Sequence, residues 1–404
     1  MIQIEPHWLI SIPVAFGVGW LAARWDKRLE QAENEAEQTL KQKSTFQGLN
    51  LLLNEQPDKA IDALVQVAQL DSETSELHFA LGSLFRRRGE TERAIRVHQH
   101  LANRQDILQK DRDHASYELG RDFLRAGLLD RAEVSLNRVG EGKYSTPAKI
   151  ALLEMYQIEK DWRKSIVSAT ELEDFEGAQS RHYQIAHFYC EIAQDALRRK
   201  DLSGAEDAIE RALQAVPLHI RGTILKGDLL IASQRPKEAI AIWAEIEAHH
   251  PMYLPLIADR WMAAHAEIGF EVLGLNRLKS NLPKQAGGEL LDIVFKHSMK
   301  LEGAVQAEEL VAEVMRYSPS LTALANRLEA RKAIALASED QSNLGDIQVT
   351  LDLLKQKTSS LARYTCGSCG FRAKRFYWQC PGCNNWDAYS PKRSEGAAPS
   401  GPSM

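Results

Sequence analysis

Cysteine is scarce in this chain: five in 404 residues, and four of the five crowd between positions 366 and 383. That usage argues against a disulfide framework and for a reducing compartment, with two disulfides or four unrelated thiols as the alternative reading of the C-terminal four. Cys190 stands alone behind Phe188-Tyr189 in an apolar helical stretch and reads as a buried structural thiol. Phosphate-cradling GxxxxGK[ST] loops, HExxH helices and GxSxG elbows are all missing, so no catalytic constellation can be assembled and no enzyme is expected. His249-His250 before Pro251 suit a helix end rather than a metal site. Glu171, Glu173, Asp174, Glu308 and Glu309 are scattered as on solvated helix faces. Strong charge is lacking too: the net value of −5 predicts neither bulk nucleic-acid binding nor tight attraction to a membrane surface.

Long apolar runs are equally rare. Trp8 to Ala23 forms sixteen residues without a charge. As a helix it would extend about 24 Å, slightly less than a hydrocarbon core, with Trp8, Trp20 and Trp25 as interfacial anchors. Arg24, Lys27 and Arg28 follow the run, whereas a cleaved signal peptide would carry its basic residues in front. That asymmetry predicts a single-pass anchor, residues 1–25, with the bulk of the chain in the cytoplasm. Residues 26–43 are polar and helix-favouring throughout, and read as a solvated spacer.

What is plentiful is repetition. Gly48, Gly82 and Gly120 align, and each is followed twelve residues later by Ala60, Ala94 or Ala132. Looser copies pair Leu153 with Ser165, Ala193 with Ala205, Gly227 with Ala239 and Phe295 with Ala307. Pro217, Pro251 and Pro319 fall twelve residues further on, where a chain must turn. Blocks such as LHFALGSLFRRRGETERAIRVHQHLA read as two amphipathic helices joined by a short turn. The period resembles the tetratricopeptide repeat, and places an array over residues 44–340, with irregular boundaries between about 252 and 290. By that resemblance Phe79, Ser83, Arg86 and Arg87, then Tyr117, Arg121, Leu124 and Arg125, face a groove. Arginines beside aromatics suit an acidic or carboxylate-bearing peptide segment, or are simply a solvated basic face.

Helices are expected from about 321 to 338 and from about 345 to 360, the second lying in a connecting segment, 341–363. The sharpest chemical signal follows, over residues 364–390. Cys366-Gly-Ser-Cys369 and Cys380-Pro-Gly-Cys383 are two Cys-x-x-Cys turns ten residues apart, and two such turns facing each other make a tetrahedral sulfur site. Iron and zinc both suit four thiolates. FRAKRFYWQ between the pairs alternates basic and aromatic residues, which suits a short β-hairpin arm, and some of the aromatics are expected to dock the module onto the last repeat helices. The tail, 391–404, is rich in Gly, Pro and Ser and reads as disordered.

Cys-x-x-Cys-Gly and Cys-Pro-x-Cys resemble the knuckles of rubredoxin, shortened toward a zinc ribbon, with Asn384 where the second knuckle would carry glycine. An anchor, a helical array and such a knuckle in this order resemble the lipopolysaccharide assembly protein B family of Gram-negative bacteria. TCGSCGF, QCPGCNNWD, GLNLLLNEQPDKAIDAL and LGRDFLRAGLLDRAE carry the resemblance. It implies an all-α tetratricopeptide superhelix with an N-terminal transmembrane helix and a small metal module holding one iron ion. It also implies an inner-membrane adaptor that promotes proteolysis of the lipid A-committing deacetylase by a membrane AAA protease, with lipopolysaccharide assembly or regulatory membrane proteins as further partners. A redox- or metal-sensing scaffold is the alternative, and a ribbon-type nucleic-acid binder, using Arg372, Lys374 and Arg375 with Phe376, Tyr377 and Trp378, is a third.

Overall fold

A computed structural model describes residues 75–173, 180–284, 288–338, 343–359 and 364–390. The expected anchor, the spacer, the repeat begun by Gly48 and the tail all lie outside these residues. Among the described residues no helix is long and apolar enough to cross a membrane.

Sixteen α-helices are seen among the described residues, and the chain divides into two compact units, residues 1–161 and 162–404. The first unit contains α1 (Ser75–Arg88), α2 (Thr91–Asn103), α3 (Gln109–Arg125), α4 (Leu129–Asn137) and α5 (Ser145–Glu159). The second contains α6 (Trp162–Glu173), α7 (His182–Arg198), α8 (Leu202–Ala215), α9 (Ile220–Ala232) and α10 (Pro236–His249). A 3-10 turn, Pro251–Leu256, leads to α11 (Ala258–Glu267) and α12 (Glu271–Asn281). Then come α13 (Gly288–Leu301), α14 (Ala304–Tyr317), α15 (Leu321–Ala337) and α16 (Leu344–Ser359). Within each unit a helix packs chiefly on its neighbours in sequence and on the next but one, as in a one-dimensional repeat protein.

Seven of the helices are followed by one residue of left-handed backbone: Gly89, Gly127, Lys160, Lys200, Gln234, Gly269 and Gly303. In the first six the following N–H reaches back five residues, as in Glu90 N–H to Phe85 C=O and Arg235 N–H to Leu230 C=O, and closes the end of the first helix. Seven residues before each of these six turns lies the repeat position already marked by Gly82, Gly120, Leu153, Ala193 and Gly227, and now by Met262. The alanines twelve residues after the first-helix positions, Ala94, Ala132, Ala205, Ala239 and Ala307, are fully buried.

Sixteen residues after the same position comes another fully buried side chain: His98, Leu136, Ala169, Ile209, Trp243, Leu278 or Val311. Size is exchanged between the two. A methyl group on Gly82 would run into the His98 ring, on Gly120 into Leu136 and on Gly227 into Trp243. At these three crossings the missing side chain of the first helix makes room for a bulky one on the second, as close packing demands.

Between 252 and 290, where boundaries were least legible, α11 and α12 form one more copy, with Met262 and Gly274 in the paired positions. Met262 lies thirty-five residues after Gly227 and thirty-three before Phe295, so the period is kept while the glycine has moved to the second helix.

The two terminal helices lie close to their expected bounds. The expected hairpin over 371–379 does not form. Instead β1 (Tyr364–Thr365) pairs antiparallel with β2 (Arg372–Ala373), so the strands flank the first knuckle rather than filling the space after it. Backbone pairing is claimed there by the turn that aims Cys366 and Cys369, which leaves residues 374–379 free to carry their aromatics away from the sulfurs.

Candidate metal centre and the junction beside it

The two knuckles share a backbone plan. Gly370 N–H donates to Cys366 C=O at 2.9 Å and Asn384 N–H to Cys380 C=O at 2.8 Å. Cys366 N–H then reaches Phe371 C=O at 2.9 Å and Cys380 N–H reaches Asn385 C=O at 2.8 Å. Such tight turns need left-handed backbone just after the second cysteine, and Gly370 (φ 74°) and Asn384 (φ 58°) supply it.

This plan brings Cys366, Cys369, Cys380 and Cys383 together, with Cys366 and Cys380 buried. Cys366 Sγ lies 3.8 Å from Cys383 Sγ, and Cys369 Sγ lies 3.7 Å from Cys380 Sγ. A tetrahedron with metal–sulfur bonds near 2.3 Å has edges of about 3.8 Å, so the four sulfurs fit one ion. Burial works against a Cys380 thiolate, but N–H groups of Cys383 and Gly382 and the Tyr389 hydroxyl outweigh it, and the thiol is pulled down to about 6. Gly382 N–H lies 3.4 Å from that sulfur. The chemistry is that of a rubredoxin-like zinc-ribbon metal site.

The ribbon is fastened to helices of the second unit. Asp387 N–H donates to Trp378 C=O at 2.8 Å, and Gln379 bridges to Trp386, so the two tryptophans are presented together. Trp378 lies parallel to Tyr253 at 5.9 Å, and Trp386 stacks on His187 at 4.7 Å with Trp162 and Phe188 against its edge. His187 Nε2 donates to the Asp387 carboxylate at 2.7 Å, and the Tyr364 hydroxyl donates to Glu289 on α13. Docking therefore reaches back to α6 and α7, well before the last repeat helices that sequence reasoning pointed to. The apolar ground for Trp386 is Phe188 and Trp162, both from the middle of the chain.

A third cluster escaped sequence reasoning. His187, His219 and Asp387 offer ring nitrogens and a carboxylate oxygen within 4.8 Å of one another. His219 caps α9, accepting the Gly222 N–H at its Nδ1, and burial pushes its pKa down to about 3. Cys190 lies 3.6 Å from the same nitrogen, and burial pushes its thiol up to about 12, which fits the structural role expected of it. In sequence these residues sit alone on helices or loops, and only the placement of His219 three residues before Gly222, at a helix start, hints at a capping role.

In the first unit the residues expected to line a groove separate into two groups. Phe79 is buried and stacks on His114, which stacks in turn on Tyr144. Arg86 is nearly covered; its guanidinium donates to the Glu118 carboxylate and, at 2.9 Å, to Asp122, whose other oxygen is held by buried His98. Burial opposes the Glu118 charge, yet His114 and Arg86 bring its carboxyl down to about 2. Arg87, Arg121 and Arg125 are exposed, Ser83 and Leu124 are half-buried, and half-buried Tyr117 carries the Arg121 guanidinium 5.8 Å from its ring centre.

The rubredoxin metal binding domain family matches residues 364–391, and the tetratricopeptide repeat family matches 47–99 and 190–249. Lipopolysaccharide assembly protein B of Escherichia coli K12 is 28% identical over 389 residues, covering 95% of this chain and 97% of that protein. The protein of the same name from Haemophilus influenzae is 24% identical over 398 residues, with the same coverage. Solved structures are more distant: a Naa15/Naa10 complex bound to HypK-THB is 14% identical, with a TM-score of 0.36 over 79% of this chain and 53% of that one, too loose a likeness to bear on function. With its repeat hairpins and its four-cysteine ribbon, the chain is similar along nearly its whole length to proteins named lipopolysaccharide assembly protein B.

Proposed function

We propose that the chain is an adaptor, not an enzyme, in lipopolysaccharide synthesis. In this reading residues 8–23 tether it to the bacterial inner membrane with its bulk in the cytoplasm. The array holds protein partners, and the lipid A-committing deacetylase is delivered to a membrane AAA protease. The observation that carries the reading is the likeness to proteins named lipopolysaccharide assembly protein B over 95% of the chain. Repeat hairpins supply binding surface rather than reactive groups. The partner face in the first unit runs through Arg87, Arg121, Arg125 and Tyr117, with Phe79 and Arg86 as its internal support. Nucleic acid is not a partner in this reading. The ribbon ion is iron, as the resemblance implies; elemental analysis returning one zinc per chain overturns that point.

Crosslinked affinity capture from membranes tests the adaptor. Wild-type chain is expected to bring down the protease and the deacetylase. Arg87→Glu with Arg121→Glu and Arg125→Glu is expected to lose one of them while the circular dichroism spectrum is unchanged. Capture of neither enzyme, with the deacetylase lifetime unaltered by deleting the chain, overturns the proposal.

A further inference from the structure

The junction between the ribbon and α7, α9 and the 3-10 turn leaves a cavity of about 630 Å3, within the size range of small-molecule sites. We propose that it binds a phosphate ester carried on a ring. The cavity lies wholly within the second unit, and the inference goes beyond the adaptor reading.

The donors come first. Arg221 is 4% exposed and lines the cavity; its Nη2 is held by Glu191 and Gln194 at 2.8 and 2.7 Å. Its Nη1 is buried and, among the described residues, has no hydrogen-bond partner. Leaving a guanidinium N–H buried and unsatisfied is costly, and an anionic oxygen is the acceptor that best removes the cost. Half-buried Arg181 lines the same cavity, and its buried Nε has no hydrogen-bond partner among the described residues. His219 adds a third donor: its Nδ1 accepts from Gly222, so its proton sits on Nε2. Asn384 and Asn385 of the second knuckle complete the polar lining. Several N–H groups from separate elements suit a tetrahedral oxyanion with three free oxygens.

The walls select what the phosphate is attached to. Trp378 and Tyr253 lie parallel on one side, the Arg221 guanidinium sits 5.9 Å from the Trp378 ring centre, and Tyr183 is half-exposed at the rim. Aromatic faces beside a cation take the flat face of a base or the C–H face of a pyranose.

His187 and His219 lie close enough together with Asp387 to suggest a metal instead, but their bonding opposes it. His219 Nε2 carries the proton while Nδ1 accepts the capping N–H, and His187 Nε2 donates to Asp387, which leaves His187 Nδ1 alone with a lone pair, too few nitrogens for a metal site. That bond also engages Asp387, the one carboxylate among the described residues bordering the cavity.

Full-length, metal-loaded chain is titrated with adenosine 5′-monophosphate, glucose 6-phosphate and inorganic phosphate. Tryptophan fluorescence follows binding, because Trp378 and Trp386 line the cavity, and calorimetry checks it. At least one ring phosphate is expected to bind more tightly than inorganic phosphate, and the stronger of the two identifies the ring. Arg221→Gln is expected to weaken it by about tenfold or more. Should that variant fail to fold, Arg181→Gln at the rim reads the same loss. The proposal is overturned if neither ester binds at millimolar concentration, if inorganic phosphate binds as well as both, or if the folded variant keeps wild-type affinity.

Discussion

Gly227 exists to receive Trp243: a methyl group placed on it would lie 2.0 Å from the indole nitrogen, which donates to Ile224 C=O one turn away. The same exchange of volume recurs at Gly82 and His98 and at Gly120 and Leu136.

Gly227→Ala should therefore overpack the crossing of α9 and α10 and cost about 1–3 kcal/mol, despite alanine's better helix propensity. Gly345→Ala, at a helical glycine with nothing within 4 Å, should cost nothing or stabilise slightly. Denaturant unfolding of both variants checks the contrast.

Arg86→Ala leaves Glu118 and Asp122 buried beside one another without their shared cation. A loss of about 3–5 kcal/mol is expected, as for other broken buried pairs. Arg87→Ala, next along the helix but exposed, should stay within about 0.5 kcal/mol of wild type. Equal effects at the two positions would contradict the separation of support from surface.

Acid sensitivity follows from Glu118. Its carboxyl is near 2 in the folded chain against an ordinary 4.5, so the folded state holds fewer protons than the unfolded one between those values. Its stabilising contribution is complete above pH 4.5 and is lost as pH falls toward 2. Glu118→Gln should flatten the slope of stability against pH in that window, with little change of slope at pH 5 to 7. Unfolding curves at stepped pH measure it.

Cys380→Ser should lose the metal, since three thiolates and a hydroxyl hold a thiophilic ion poorly. Trp378 and Trp386 would then leave their seats on Tyr253 and His187, giving a red-shifted emission and fast proteolysis within residues 364–390. The helices of the first unit should keep their unfolding midpoint. Chelation of the wild-type metal should reproduce the same changes.

The sequence made the array legible wherever glycine or alanine marked the crossing, and made the ribbon legible through cysteine spacing. It hid the Met262–Gly274 copy, because the glycine there moved to the other helix and the period was carried by bulk. It hid the turns at Lys160, Lys200 and Gln234, where hydrogen bonds at the helix end hold non-glycine residues in left-handed backbone. Arg86 read as surface because its partners stand one repeat away, at Glu118 and Asp122. The junction cavity was least visible of all. His187 and Asp387 are 200 residues apart, and no local pattern relates them.

Those distant attachments also have a mechanical consequence. Stacked hairpins that touch only their neighbours behave as a spring, lengthening by small rotations at each crossing. The ribbon is pinned to α7 through Asp387 and to α13 through Tyr364, so it lies as a chord across the coils between them. Stretching or twisting that segment must first break the chord, and the ion that holds the ribbon's shape thereby sets the stiffness of helices it never touches.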